Sequence, residues 1–251
     1  SSGDAVKKIQ KELQSIKPEH FTGTCTCQVV RCASDWSVGM RKRNMKEASV
    51  TTAYCELILN AKYFIFIENQ FFISNTGGRT ENKVAGSILK RIIRAQQNKE
   101  NFKVVFFLNL IPDYPGEIYH KTAILVRRQF LWQVRTLSQG EKSLFGQLRK
   151  NGINPEDYIC CYGLRNHAKI ENTPITEIIY IHGKTMIIDD DILIIGTANI
   201  CDRSMKGERD AEIEVRINKR RIICRLLLKI IRKSLQLWAG SLLWLVKLPT
   251  G

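Results

Sequence analysis

None of the eight cysteines, Cys25, Cys27, Cys32, Cys55, Cys160, Cys161, Cys201 and Cys224, belongs to a CxxC pair. Small zinc modules are built on such pairs, so the spacing argues against a structural metal, and thiols set mostly inside apolar runs are expected to be reduced and buried. The chain also lacks the ~20 consecutive apolar residues that cross a bilayer: its longest uncharged stretch near the C-terminus, 234–246, is too short. No signal peptide is evident, and a start at Ser1 rather than Met is expected of a fragment or a processed product. There is no internal repeat, no low-complexity tract and no RNA-type pairing of aromatic with basic residues. Acidic residues are the minority charge: 24 Asp and Glu face 39 Lys and Arg, for a net charge of +15. Such an excess implies a polyanionic partner, and phospholipid headgroups and nucleic acid both qualify on charge alone. Arg41-Lys42-Arg43 and Lys219-Arg220-Arg221 could meet a phosphoinositide-rich surface or be solvated charge runs.

What is present suffices for one sizeable core, since 44% of the 251 residues are hydrophobic. Apolar alternation predicts strands at 28–32, 63–68, 103–108, 158–162, 185–188, 192–196 and 212–217. Helical periodicity marks 48–60, 83–97 and 118–137, and loops are expected at 98–101 and 166–174. The order predicts an α/β fold, a mixed β-sheet flanked by helices on both faces.

One run concentrates the chemistry. His182, Lys184 and Asp189 form an H-x-K-x4-D pattern, followed by Gly196-Thr197-x-Asn199. The apolar, largely β-branched segments 185–188 and 192–195, separated by three aspartates, predict a β-hairpin. Pairing Asp189 with Ile192 across an Asp190-Asp191 loop would set His182 opposite Asn199 and Lys184 opposite Thr197, on one face. A fixed positive charge with several donors suits the non-bridging oxygens of a phosphodiester, and imidazole can move protons or attack phosphorus near neutral pH. No metal is required by such a site. Upstream, Glu68-Asn69-Gln70 interrupts an apolar run, so these polar groups must line a site or find partners; substrate contact and a structural network both fit.

The chain resembles the C-terminal catalytic half of a eukaryotic phospholipase D. The resemblance rests on the H-x-K-x4-D run together with Ala33-Ser34-Asp35-Trp36-Ser37, the stretch from Tyr63 to Ser74 containing Ile67-Glu68-Asn69-Gln70-Phe71-Phe72-Ile73-Ser74, Gly163-Leu164-Arg165, Thr176 to Tyr180, and Asp202-Arg203-Ser204-Met205. It implies one half of a bilobal fold whose two histidines face each other across the scissile phosphate. His182 would then be the general acid and base. Lys184 and Asn199 would hold phosphoryl oxygens with Thr197 assisting, and Glu212 would hydrogen-bond the motif histidine and fix its tautomer. Asp189 reads as an anchor at the hairpin turn. Only one such motif is found, because His20 and His120 lack the lysine and His167-Ala168-Lys169 has Pro174 where the aspartate should stand. The missing N-terminal half, or a second copy, is therefore the expected partner.

Three parts follow: a connecting segment 1–27, the catalytic half-domain 28–217, and a basic amphipathic segment 218–251. The last departs from the family and could be an interfacial helix, a core helix or an altered terminus. The stretch between Leu110 and Leu125 is shorter than is usual in the family. The implied function is hydrolysis of phosphatidylcholine to phosphatidic acid and choline through a phosphohistidine, with transfer to alcohols. No cofactor is expected, phosphoinositide is a candidate activator, and the implied location is the cytoplasm, peripheral to a phospholipid membrane. A homodimeric single-motif phosphodiesterase or nuclease and a catalytically incomplete lipid-binding fragment are the alternatives, with nucleic acid the less favoured partner.

Overall fold

The computed structural model describes residues 25–39, 45–76, 80–109, 111, 114, 116, 118–218 and 246–247. Among the described residues ten strands form one mixed sheet: β1 (Thr26–Ser34), β2 (Lys46–Ala48), β3 (Phe64–Asn69), β4 (Lys103–Phe107), β5 (Ile159–Ile170), β6 (Thr173–Ile179), β7 (Lys184–Ile188), β8 (Ile192–Gly196), β9 (Glu212–Asn218) and β10 (Val246–Lys247). Their order is β10-β5-β4-β3-β7-β8-β9-β1-β2, with β6 paired to β5. Neighbours β3–β4 and β4–β5 are parallel and the other pairs antiparallel. The expected mixed α/β sheet is thus the fold.

Alternation decides which residues face which layer. Ile65, Ile67, Val104, Phe106, Met186, Ile188 and Ile194 point to the larger core, where they meet the buried sides of two helices, Ser49–Asn60 and Val84–Gln97. Each helix puts apolar groups down at helical spacing: Val50, Tyr54, Leu57 and Ile58 on the first, Val84, Ile88, Ile92 and Ala95 on the second. A third helix, Leu144–Lys150, closes this core and is capped by Ser143, whose Oγ accepts the Gly146 N–H at 3.0 Å. Buried Arg91 donates to the carbonyls of Ala61 (2.6 Å) and Lys62 (3.1 Å), tying the end of the first helix to the start of β3. The opposite face carries a smaller apolar layer of Phe66, Phe107, Ile181, Ile187 and Leu193. The expected helical layer on this second face has no counterpart among the described residues, and the expected amphipathic segment 218–251 falls almost wholly outside them.

Three differences from the sequence reading have physical causes. The expected loop at 166–174 is a β-hairpin, because Glu171 and Asn172 take positive φ (46° and 69°) at its turn and Pro174 lies on β6, which among the described residues pairs only with β5. A proline costs little on such an edge strand. The helix expected from 118 begins at Ile124, preceded by a short 3-10 turn over Lys121–Ala123. Cys25 and Cys27 are exposed rather than buried, with sulfurs 3.7 Å apart, whereas Cys32 and Cys161 are buried as expected.

Candidate active site

The strand directions bring the chemistry to one end of the sheet. Asn69 closes β3 opposite Lys184, which opens β7; Thr185 is opposite Ile195, Gly196 closes β8 opposite Glu214, and Glu212 opens β9 opposite Cys32 near the end of β1. The segments that leave or enter these strands, 70–75, 180–183, 197–201 and 206–211, therefore cluster at that end.

Lys184 is nearly buried, at 6% exposure, and its Nζ donates to Gln70 Oε1 at 2.9 Å and to the His182 carbonyl at 2.6 Å. An ammonium has three N–H groups, so one has no partner among the described residues. Burial lowers the Lys184 pKa below the ordinary lysine value, opposed by the charges of Glu212 and Glu214. Gln70 is itself oriented by donation from its Nε2 to Tyr180 Oη at 2.7 Å. The imidazole of His182 is exposed, 6.5 Å from the Tyr180 ring between centroids. Gly183, between His182 and Lys184, leaves room for the Glu68 carboxyl: a Cβ there would lie 2.0 Å from Glu68 Oε1, so Glu68 would have to turn away. Burial pushes the Glu68 carboxyl above its usual range.

Of the Glu68-Asn69-Gln70 triplet, Asn69 is a structural tie. Fully buried, it donates to the Ala198 carbonyl (3.4 Å) and accepts the Ile200 N–H (3.2 Å), holding the 198–200 segment against β3. Asn199 lies in that segment, half-buried, and its Oδ1 has no hydrogen-bond partner among the described residues.

The hairpin register differs by one residue from the expected one. Ile188 pairs with Ile192, so the loop is Asp189-Asp190-Asp191, and continuing the register sets Lys184 opposite Gly196 instead of Thr197. Asp189 and Asp190 take φ of 55° and 58°, a left-handed turn that short polar side chains tolerate. Thr197 still reaches the site because the chain leaves the sheet after Gly196: its Oγ1 donates to Glu212 Oε2 at 2.6 Å and accepts the Ile213 N–H at 3.1 Å. Glu212 thus holds Thr197, and among the described residues it makes no hydrogen bond to His182.

Asp189 stands at the other end of β7, roughly 17 Å from Lys184 at the usual strand rise. Its carboxylate accepts the N–H groups of Lys62 (2.7 Å), Tyr63 (2.7 Å) and Phe64 (2.9 Å), where β3 begins. The Asp202 carboxylate likewise accepts the N–H groups of Glu81 and Asn82 at 2.9 Å, and Arg203 forks onto Asp210 at 2.8 and 3.0 Å. The Asp202–Met205 helix is therefore framework for the segment entering β9. His120 turns to Thr122 and His167 lies on β5, apart from the cluster; His20 is outside the described residues.

Sequence reading missed Glu214. It is fully buried, its Oε1 accepts the Ala198 N–H at 2.9 Å, and burial pushes its carboxyl up to about 8. The signal was available: in Glu212-Ile213-Glu214 a strand turns both carboxyls to one face. Among the described residues no three His, Cys, Asp or Glu side chains form a metal-binding group.

With this geometry in hand, relatives are informative. A family model described as Phospholipase D matches residues 6–178 and 168–225. Phospholipase D zeta 1 of Arabidopsis thaliana is 42% identical over 205 residues, 80% of this chain and 18% of that protein. Phospholipase D1 of Schizosaccharomyces pombe is 41% identical over 79% of the chain and 15% of its own length. Phospholipase D1 of Homo sapiens is 39% identical over 75% and 17%. The chain thus spans less than a fifth of the curated relatives it matches. Among solved structures, NucT from Helicobacter pylori aligns over 89% of this chain and 100% of that one, with a TM-score of 0.44 and 17% identity. The chain belongs to the phospholipase D family.

Proposed function

We propose that this chain supplies one half of a phospholipase D active site, hydrolysing phosphatidylcholine to phosphatidic acid and choline and transferring the phosphatidyl group to alcohols. The observation that carries the reading is the held Lys184: two of its N–H groups are fixed by Gln70 and the His182 carbonyl, leaving one for a phosphoryl oxygen beside an exposed imidazole. A histidine from the N-terminal half, or from a second copy, attacks phosphorus. The new P–N bond forms as the P–O bond to choline breaks, and His182 gives its proton to the departing oxygen. Water then attacks phosphorus, His182 takes a proton from it, and the P–N bond breaks to release phosphatidic acid. Lys184, with Asn199 assisting, compensates the charge on the phosphoryl oxygens in both steps, and Thr197, its proton held by Glu212, fixes the start of the segment that carries Asn199.

A lipid substrate is supported by the surface at this end of the sheet. Trp36, 71% exposed, follows β1, with Arg209 5.6 Å over its ring, and Val38 and Met45 are exposed nearby in sequence. Tyr119 and Leu125, in the segment that follows β4, are exposed as well. Apolar and aromatic groups among cations suit a phospholipid interface. The reading extends to a cytoplasmic, peripheral-membrane location with phosphoinositide as activator, engaged by the basic clusters that include Arg41-Lys42-Arg43.

The test is phosphatidyl transfer from phosphatidylcholine vesicles to a primary alcohol, with and without the N-terminal half. Transfer by the chain alone indicates that two copies complete the site; transfer only after the other half is added indicates a divided enzyme. Silence in both, with DNA cleaved instead, overturns the lipid reading in favour of the single-motif phosphodiesterase that one motif per chain also allows.

A further inference from the structure

Beneath the cluster lies a cross-strand row whose consequences go beyond the reaction. Lys184 on β7, Gly196 on β8 and Glu214 on β9 stand side by side on the face of the larger core. Gly196 has no side chain, and β9 packs close against it: a Cβ at position 196 would be 2.1 Å from the Ile213 carbonyl oxygen and 2.7 Å from both Glu214 Cα and Glu214 Oε2. The carboxyl therefore lies against Gly196 on β8, the strand between Glu214 and Lys184, and the two charges influence each other. Its Oε1 takes the Ala198 N–H, and its Oε2 has no hydrogen-bond partner among the described residues. A buried oxygen in that position is costly as an anion and far less so as a neutral acid.

We infer that Glu214 is a positioning residue that sets the Thr197-Ala198-Asn199 segment beside Lys184, and that the hold of the site on a phosphodiester depends on whether this carboxyl carries its proton. The inference rests on the reading of this end of the sheet as a phosphodiester site. Protonated, Glu214 fixes the Ala198 backbone and leaves the charge of Lys184 to the ligand. Ionised, it competes with the ligand for Lys184 and repels the bound anion. The surroundings accentuate the effect. Burial raises Glu214 to about 8, with the Ala198 N–H and Lys184 pulling down and Glu212 pushing up. From the first long helix Tyr54 faces it, fully buried, with no partner for its hydroxyl among the described residues and its own pKa raised by burial and by Glu214. Cys32 on β1 is held at about 11 and stays neutral. Arg216, two residues along β9, turns to Gln28 Oε1 at 3.4 Å.

The test uses the whole chain and bis(4-nitrophenyl) phosphate, a diester with no proton to lose over the range, with binding measured at about pH 6 and about pH 9.5. Wild type is expected to bind about tenfold more weakly at the higher pH, and Glu214→Gln, which keeps an acceptor for Ala198, to lose most of that ratio. Glu214→Ala, lacking the acceptor, is expected to bind more weakly at both pH values, also without the ratio, and serves if the glutamine variant does not fold. Equal pH ratios in wild type and Glu214→Gln would overturn the proposal. Unliganded thermal midpoints separate this from failure of the site reading. A carboxyl raised from about 4.3 unfolded to about 8 folded favours the folded state at low pH. Wild type must therefore lose stability relative to Glu214→Gln as pH rises through that window. A loss of this kind without diester binding by any variant would sink the phosphodiester reading and the coupling together, whereas binding without it would sink the coupling alone.

Discussion

The two ends of β7 differ in how far their polar groups are satisfied. At Asp189 the carboxylate meets three backbone N–H groups within 2.9 Å, and the turn is closed by Asp191 N–H to the Ile188 carbonyl at 3.0 Å. The Lys184 end of the sheet carries an exposed imidazole and, among the described residues, an ammonium with one donor unused, an unpartnered Asn199 Oδ1 and an unpartnered Glu214 Oε2. Satisfied groups stabilise a fold; unsatisfied ones, at a cost in stability, are available to a ligand. On this account the single pattern H-x-K-x4-D joins two tasks: its aspartate joins the hairpin to β3, and its histidine and lysine stand at the end of the sheet proposed to take the ligand.

That division can be broken at either end. The largest effect is expected from His182→Asn, which removes the proton carrier and should lower turnover by about 10³-fold or more, with an unchanged thermal midpoint because the imidazole is exposed. Next is Asp189→Ala. Losing three hydrogen bonds to a charged acceptor should cost about 2 kcal/mol in urea unfolding, while turnover per folded molecule stays at the wild-type value. Gln70→Ala sharpens the comparison inside the site, since it frees Lys184 from one of two partners without removing the charge. Steady-state kinetics should show KM up by about tenfold, a loss of order 1.4 kcal/mol. The smallest effect is expected from Trp36→Ala, which should weaken vesicle sedimentation by about threefold and leave turnover of a soluble diester untouched.

Much of this was legible in the chain. The core strands and the first two long helices follow apolar periods of two and of 3.6, and those periods are set by backbone geometry. The hairpin that brings the segments of His182, Lys184, Thr197 and Asn199 to one end of the sheet follows from the sequence, yet its register differs by one residue from the expected one. A two-residue loop was the simplest closure, and the left-handed pair at Asp189 and Asp190 cannot be told from three aspartates in a row. The hairpin at 159–179 was hidden because its outer strand is an edge, where Pro174 and polar residues are tolerated. Glu214 escaped notice because a buried carboxyl is rare and its role depends on the gap left by Gly196, a neighbour only through sheet pairing.

The most direct test of the division between the two ends is the transfer rate of Asp189→Ala, per folded molecule, in the assembled enzyme beside His182→Asn. The account predicts a wild-type rate for Asp189→Ala in whatever fraction remains folded, against near-complete loss for His182→Asn. A folded Asp189→Ala as inert as His182→Asn would contradict it, placing the aspartate in the chemistry despite its position at the far end of β7.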